Sequence, residues 1–317
     1  MTALPRLLLL LAVSTVLANV SALAPPPTQA PRLLAHRGVH QTFTTEGLTG
    51  SSCTARMIFE PTHGYLENTL PSIGAAFDAG AAVVELDLHR TADGHLVVLH
   101  DATLDCRTEA TGTPEEHTLA ELRGLDLGYG YTADDGITHP LRGTGVGLMV
   151  TLPEVLANFP EGSFLLDLKG NNVQLGEAVA DVLQDLPDVD RARHSVTGAP
   201  RAVDVVTARL PDHRVIDRRK LKSCLYGYLA LGWSGYVPAA CANTWVIVPI
   251  NYAPYLWGFP RRFEERMGRV GSDVVLMGPP VGPHSTGIDG VEQARRIPTD
   301  FGGYVWTNRV EVLAEGW

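Results

Sequence analysis

Apolar runs too short for helices recur along the chain and alternate with segments of helical periodicity. Leu33-Leu34-Ala35-His36, Val83 to Leu88, Leu96 to His100 and Phe164 to Lys169 come first; others follow near Val215, at Trp245 to Ile250, at Val274 to Met277 and at Tyr304 to Thr307. Short apolar runs bounded by turn residues predict strands. Between them, Thr69 to Ala79 and Gly176 to Leu186 predict amphipathic helices, and Leu152 to Phe159 a shorter one opened by Thr151 as N-cap. This alternation is the rhythm of parallel βα units, and roughly eight strands predict an α/β fold of the TIM-like (β/α)8 barrel type. Lys220 to Pro260, rich in Trp, Tyr, Gly and Pro, departs from the rhythm and reads as a long loop as readily as a repeat.

Two stretches exceed a minimal barrel: about 40–64, after the first strand, and about 105–150, after the third. Segments that follow barrel strands lie at the C-terminal rim, where barrel enzymes build their sites, so both are expected to wall or cover a pocket. Residues 32–317 are read as one barrel domain, preceded by a Pro-rich spacer at 25–31. Residues 1–24 read as a signal peptide: Arg6, an apolar run from Leu7 to Ala18, and Ala22-Leu23-Ala24 as a small-x-small cleavage site. That places the protein outside the cytoplasm, secreted or periplasmic, with an uncleaved membrane anchor as the alternative. Export in turn makes the four cysteines readable as disulfides. Of the three pairings, Cys53–Cys106 and Cys224–Cys241 are favoured, because a barrel puts the members of each pair at one rim.

The net charge of -10 argues against a nucleic-acid partner, and no stable protein partner is implied. An acidic enzyme acting on a phosphate ester would have to screen that charge locally, with a cation or with placed Lys and Arg. Titratable residues do gather at the ends of the early strands: His36 and Arg37, Glu85 and Asp87, His100 and Asp101, Asp167 and Lys169. Residues two apart on a strand share a face, so Glu85 and Asp87 point together while Val84, Leu86 and Leu88 face the helices. Asp167 and Lys169 repeat that parity. Close carboxylates repel unless one is protonated or a cation lies between them, and a hard divalent ion, Mg²⁺ or Ca²⁺, suits three carboxylates. A lone Glu-x-Asp is most often a surface feature and a lone His most often structural; the argument rests on four strand ends together. For Tyr226, Tyr228, Trp233, Tyr236, Trp245, Tyr252, Tyr255 and Trp257, core packing is the default, with a headgroup pocket or lipid contact as the alternative.

The runs Ala35-His36-Arg37-Gly38, Leu66-Glu67-Asn68-Thr69, Val84-Glu85-Leu86-Asp87 and Thr91-Ala92-Asp93-Gly94 through Val98-Leu99-His100-Asp101 resemble, in order and spacing, the glycerophosphodiester phosphodiesterase family. The likeness resumes from Thr151 to Lys169 and returns at Val305-Trp306-Thr307-Asn308. The resemblance implies a TIM barrel that hydrolyses glycerophosphodiesters to an alcohol and glycerol 3-phosphate. His36 and His100 would be acid and base, Glu85 and Asp87 metal ligands joined by Asp167, and Arg37 and Lys169 phosphate contacts. Glu67, Asn68, Asp101 and Trp306 would support them. The substrate would be a small glycerophosphodiester or lysophospholipid. Two departures stand out: Asp167-Leu168-Lys169 replaces the usual Glu-x-Lys, and Leu66 the usual Pro. Asp-x-Lys also resembles the sphingomyelinase D toxins, which act on choline phospholipids; that activity, and a non-catalytic barrel binding phosphoglycans or lipids, are the alternatives.

Overall fold

Eight of the strands run parallel and nearly close on themselves. In the computed structural model, which describes residues 9, 13–49, 52–280 and 286–316, the parallel strands are β1 (Arg32–His36), β2 (Ala81–Arg90), β4 (Phe164–Leu168), β5 (Ser195–Gly198), β6 (Val215–Ile216), β7 (Trp245–Pro249), β8 (Asp273–Met277) and β9 (Tyr304–Thr307). Their order around the sheet is β6-β5-β4-β2-β1-β9-β8-β7. At the remaining seam between β7 and β6, the Thr244 hydroxyl donates to Val215 O at 2.9 Å. This is a (β/α)8 barrel with helices outside: α1 (Leu70–Asp78), α2 (Leu152–Asn158), α3 (Val173–Asp185), α4 (Pro200–Arg209), α5 (Arg218–Leu231), α6 (Arg261–Arg269) and α7 (Val310–Gly316).

The period-two pattern decides what faces where. Val84, Leu86 and Leu88 on β2 pack outward with Ile73 and Ala76 of α1, Val155 of α2 and Val179 of α3 in the main core. The opposite parity lines the barrel, where Leu34, Val83, Leu165, Ile216, Val275 and Trp306 form a separate inner cluster. Along β2 the inward row is therefore apolar at Val83 and charged at Glu85 and Asp87, toward the C-terminal mouth. The helices begin where their caps are. Thr69 accepts from Ser72 N at α1, and Thr151 forms a capping box with Glu154 at α2; each such cap contributes about 0.5–2 kcal/mol.

Two strand assignments differ from the sequence reading. Leu96–Val98 forms β3, but it pairs antiparallel with β2 (Leu88 opposite Val98) and is not a barrel strand. Only Thr91 to His95 separates it from β2, and a parallel crossover needs about a dozen residues or more. Asp93-Gly94, with Gly94 at φ +90°, is the turn of a hairpin. The eighth barrel strand is β5, which pattern alone does not reveal: Ser195-Val196-Thr197-Gly198 holds a single large apolar residue. Lys220 to Pro260, read partly as loop, contains most of α5 and all of β7.

The two insertions pack on each other. Ala55, Ile58 and Leu66 from the first meet Leu104, Leu122, Leu127, Tyr131, Leu141 and Met149 from the second, with Val97 and Leu99 of the hairpin, in a core of their own above the barrel. Cys53 is bonded to Cys106 across them, and Cys224 on α5 to Cys241 ahead of β7. The Cys53–Cys106 bridge closes a sequence separation of 53 residues, for which loop entropy predicts about 4 kcal/mol of stabilisation. Replacing both cysteines with serine is expected to lower the melting temperature and kcat/KM together, because Cys106 adjoins Arg107 of the site described below. Unchanged melting and turnover would show that the crosslink supports neither.

Residues 1–8 and 10–12 of the expected leader lie outside the described residues. Residues 13–19 are helical, and the stretch that follows packs against α6. The buried Arg266 donates to Ala18 O and Asn19 Oδ1, each at 3.0 Å, and to Gly232 O at 2.9 Å and the Tyr228 hydroxyl at 2.8 Å.

Candidate active site

Three adjacent strands, β1, β2 and β4, bring His36, Glu85, Asp87 and Asp167 to the barrel mouth, while His100 and Asp101 follow the β3 hairpin and Trp306 comes from β9. Register sets His36 beside Glu85 and Asp87 beside Asp167. Carboxylate oxygens of Glu85, Asp87 and Asp167 lie within 4.8 Å of one another. Lys169 Nζ contacts Asp87 Oδ1 at 2.7 Å and Asp167 Oδ2 at 2.6 Å. Asn68 donates through Nδ2 to Asp87 Oδ2 at 2.8 Å and accepts through Oδ1 from the Asp87 backbone N–H at 3.3 Å, which holds the amide against both the carboxylate and the main chain of Asp87.

The loop after β1 is shaped for this work. Arg37 and Asn68 both adopt left-handed backbone, at φ 59° and 61°, a conformation that costs a non-glycine residue about 1–3 kcal/mol. The turn is cross-braced: Asn68 N donates to Arg37 O, as does the Ser72 hydroxyl, and Arg37 N donates to Glu85 O. Gly38 is required, since a β-carbon there would lie 2.2 Å from Ser72 Oγ. The bend turns Arg37 inward, where its guanidinium meets Glu67 at 3.2 Å and Asp87 at 3.4 Å and donates through Nε to His36 Nε2 at 3.2 Å.

Burial decides the charge states. Glu85 and Asp87 are almost wholly inaccessible. Burial, then the charge of Asp87, pushes the Glu85 carboxyl well above its usual range. Burial would raise Asp87 too, but Lys169, His100 and Arg37 outweigh it and hold that group well below. The repulsion within the cluster thus falls on Glu85, while Lys169 offsets it at Asp87. Opposite ligands of a hard divalent ion stand about 4–5 Å apart, so the cluster's spacing fits one, and its donors are all oxygens. The cluster can hold a metal ion.

The two histidines are held differently. His36 Nδ1 bonds Asn308 Oδ1 at 2.6 Å; Asn308 Nδ2 donates to Asp289 Oδ2 at 2.9 Å, and Asn308 N to Asp289 Oδ1 at 2.6 Å. A carboxylate that accepts from the amide NH₂ fixes which way the amide points, so its oxygen faces His36 and the His36 proton sits on Nδ1. His100 Nδ1 bonds the Asp101 carboxylate at 2.8 Å, and Asp101 is held by Arg107 Nε at 2.7 Å. Arg107 also reaches Glu67 at 3.2 Å and Thr54 Oγ1 at 2.8 Å, so Asp101, Arg107, Glu67 and Arg37 form a chain of alternating charge that begins at the partly exposed His100. Burial first, then Arg37, lowers both imidazoles, His36 further than His100. Trp306 packs against His36 with ring centroids 5.1 Å apart.

Every predicted site residue therefore comes together at one mouth. Arg107, Asn308 and Asp289 had no assigned role in the sequence reading. Asn308 closes a motif already singled out, and Arg107 follows Cys106, but nothing in the sequence around Asp289 marks it.

A (β/α)8 barrel whose mouth holds two histidines around an acidic, cation-receptive centre is the class these observations define. Residues 36–194, half of the chain, match the glycerophosphoryl diester phosphodiesterase family, and the protein belongs to that family. Among curated relatives, the glycerophosphodiester phosphodiesterase of Caldanaerobacter subterraneus is 45% identical over 62 residues, 20% of this chain and 26% of that protein. That of Bacillus subtilis is 40% identical over 98 residues, 30% and 33%, and glycerophosphodiester phosphodiesterase 1 of Bos taurus 34% over 128 residues, 39% and 36%. The chain thus matches only 26% to 36% of the length of these relatives. The fold extends further. A glycerophosphodiester phosphodiesterase structure from Agrobacterium tumefaciens superimposes with a TM-score of 0.59 at 18% identity, over 90% of this chain and 99% of that one. A phosphodiesterase from Oleispira antarctica, in complex with the product sn-glycerol-3-phosphate, does so at 0.53 and 18%, over 89% and 94%.

Proposed function

We propose that the protein is an exported, divalent-metal-dependent phosphodiesterase that hydrolyses a glycerophosphodiester to an alcohol and glycerol 3-phosphate. The observation that carries this reading is the pairing of His36 and His100 with the Glu85, Asp87 and Asp167 cluster. Family membership and the product held by the Oleispira relative point the same way.

Glu85, Asp87 and Asp167 would hold Mg²⁺ or Ca²⁺, which when bound supplies positive charge to a non-bridging phosphoryl oxygen. Arg37 and Lys169 take the remaining phosphate charge. His36 is the base: its neighbour is a neutral amide, burial keeps it unprotonated, and with the proton on Nδ1 its lone pair is on Nε2. Arg37 donates to that lone pair in the free site, and turning to a phosphate releases it. His100 is the acid: burial lowers both imidazoles, but the Asp101 carboxylate opposes it at His100, which is lowered less than His36 and so is the better proton donor of the pair. The glycerol hydroxyl adjacent to the ester attacks phosphorus while His36 Nε2 takes its proton. The bond to the leaving alcohol breaks as His100 Nε2 protonates that oxygen. Water then opens the cyclic phosphate with the proton roles reversed, restoring both histidines.

The decisive experiment offers glycerophosphodiesters, lysophospholipids and sphingomyelin with added Mg²⁺ or Ca²⁺ and measures both products. Release of glycerol 3-phosphate from the first group supports the reading. Choline released from sphingomyelin alone would replace it with the phospholipase D type of activity, and no product from any would favour a binding barrel. Within the mechanism, Asp289→Asn and Asn308→Ala are expected to lower kcat about tenfold or more with KM little changed, since they disturb the aim of a base and not the phosphate contacts. Equal losses in kcat and gains in KM would assign these residues to substrate binding instead.

A further inference from the structure

Of the eight aromatic residues between 226 and 257, only Tyr228 and Trp245 are buried. Tyr226, Trp233, Tyr236, Tyr252, Tyr255 and Trp257 are 38–73% exposed, although packing was their expected role. Three of them meet along the helix that ends at Leu231: Tyr226 within it, Trp233 just after it, and Trp257 bonded to it. Trp257 Nε1 donates to Leu229 O at 2.9 Å and the Tyr228 hydroxyl to Trp257 O at 2.8 Å, which ties the loop after β7 to the later turns of α5. Arg219, Lys222, Tyr226, Leu229 and, in the turn beyond, Trp233 recur at spacings of three and four and are all exposed, on the side opposite buried Cys224 and Tyr228.

Charge separates this face from the rest of the molecule. The α5 sequence carries four basic residues and no acidic one, in a chain of net charge -10; Arg219 is paired with Asp204 and Asp217, and Arg218, Lys220 and Lys222 are exposed. Exposed Trp and Tyr beside lysines is the composition of a surface seated among lipid headgroups. Protein interfaces also favour Trp and Tyr but are depleted in Lys. Among the described residues no helix is long and apolar enough to cross a membrane, so the contact would lie along the surface.

We propose that this face, α5 with Trp233, Tyr236 and Trp257, docks on an anionic phospholipid bilayer. Arg218 and Lys222, four residues apart on the exposed side of the helix, meet the phosphate layer, and the aromatic rings enter the boundary between headgroups and acyl chains.

The test is co-sedimentation of the full chain with sucrose-loaded vesicles of phosphatidylcholine alone or with phosphatidylglycerol. Binding is expected to the mixed vesicles and to fall with added salt. The pair Tyr226→Ser with Trp233→Ser, and separately Arg218→Glu with Lys222→Glu, should each weaken it about tenfold or more. Both pairs sit on the surface, and thermal melting matching the wild type verifies that they fold. The leader is identical in all these proteins, so a difference between them reads the face and not the leader. Equal binding to both vesicle types, no binding, or binding unchanged by both pairs would overturn the proposal. A dimer in sedimentation velocity that the aromatic pair abolishes, without vesicle binding, would assign the face to a second copy instead.

Discussion

Alanine at His36 is expected to lower kcat by about 10²–10⁴-fold with the fold intact, and alanine at His100 to do the same. Neither change leaves an unpaired buried charge: Asn308 keeps its bonds to Asp289, and Asp101 keeps Arg107. The two losses should part company when the leaving group is changed. A 4-nitrophenyl ester departs without protonation, so the variant lacking the acid, His100→Ala, should recover most of its rate on that substrate. The variant lacking the base, His36→Ala, should not. Recovery in the opposite variant would exchange the two roles, and near-wild-type turnover of either on a natural glycerophosphodiester would remove that residue from the chemistry.

Removal of divalent metal should have an effect as large. Excess chelator is expected to abolish turnover, and Mg²⁺ or Ca²⁺ to restore it, because three carboxylates this close form an oxygen-donor set for a divalent ion, which would carry positive charge to the phosphate. A readout independent of turnover is available. An ion at a hundred times its dissociation constant should stabilise the fold by about 2.7 kcal/mol, measured as a rise in melting temperature. In Asp87→Asn or Glu85→Gln that rise should shrink or vanish. Full activity in excess chelator would defeat the metal-dependent reading.

Where the sequence was legible, a local rule sufficed. Period-two alternation put Glu85 and Asp87 on one face and Leu86 on the other, and short apolar runs marked seven of the barrel strands. The third run was placed in the barrel because its apolar pattern is that of a strand. What excludes it is the length of the preceding turn, a constraint on connection and not on composition. β5 escaped notice because so short a strand owes its place to pairing with β4 and β6, which its own residues do not announce. The same limit applies at the site. The His-Arg-Gly and Glu-Asn-Thr runs carry their shape within a few residues, through Gly38 and the left-handed Arg37 and Asn68. The bond from His36 to Asn308, by contrast, spans 272 positions, and no periodicity encodes it.

The sheet places β1 between β2 and β9, so the neighbour of the first barrel strand is the last to be synthesised. His36, His100 and the three carboxylates all leave the ribosome within the first half of the barrel, while Asp289, Trp306 and Asn308 follow only with β8 and β9. A nascent chain halted before β9 would expose the edge of β1 and leave His36 without the amide that sets its tautomer. Such an open edge invites pairing with other chains, and a truncated product should be aggregation-prone as well as inactive. Only when β9 joins β1 does His36 gain its Asn308 partner, so the site is completed by the last barrel strand made.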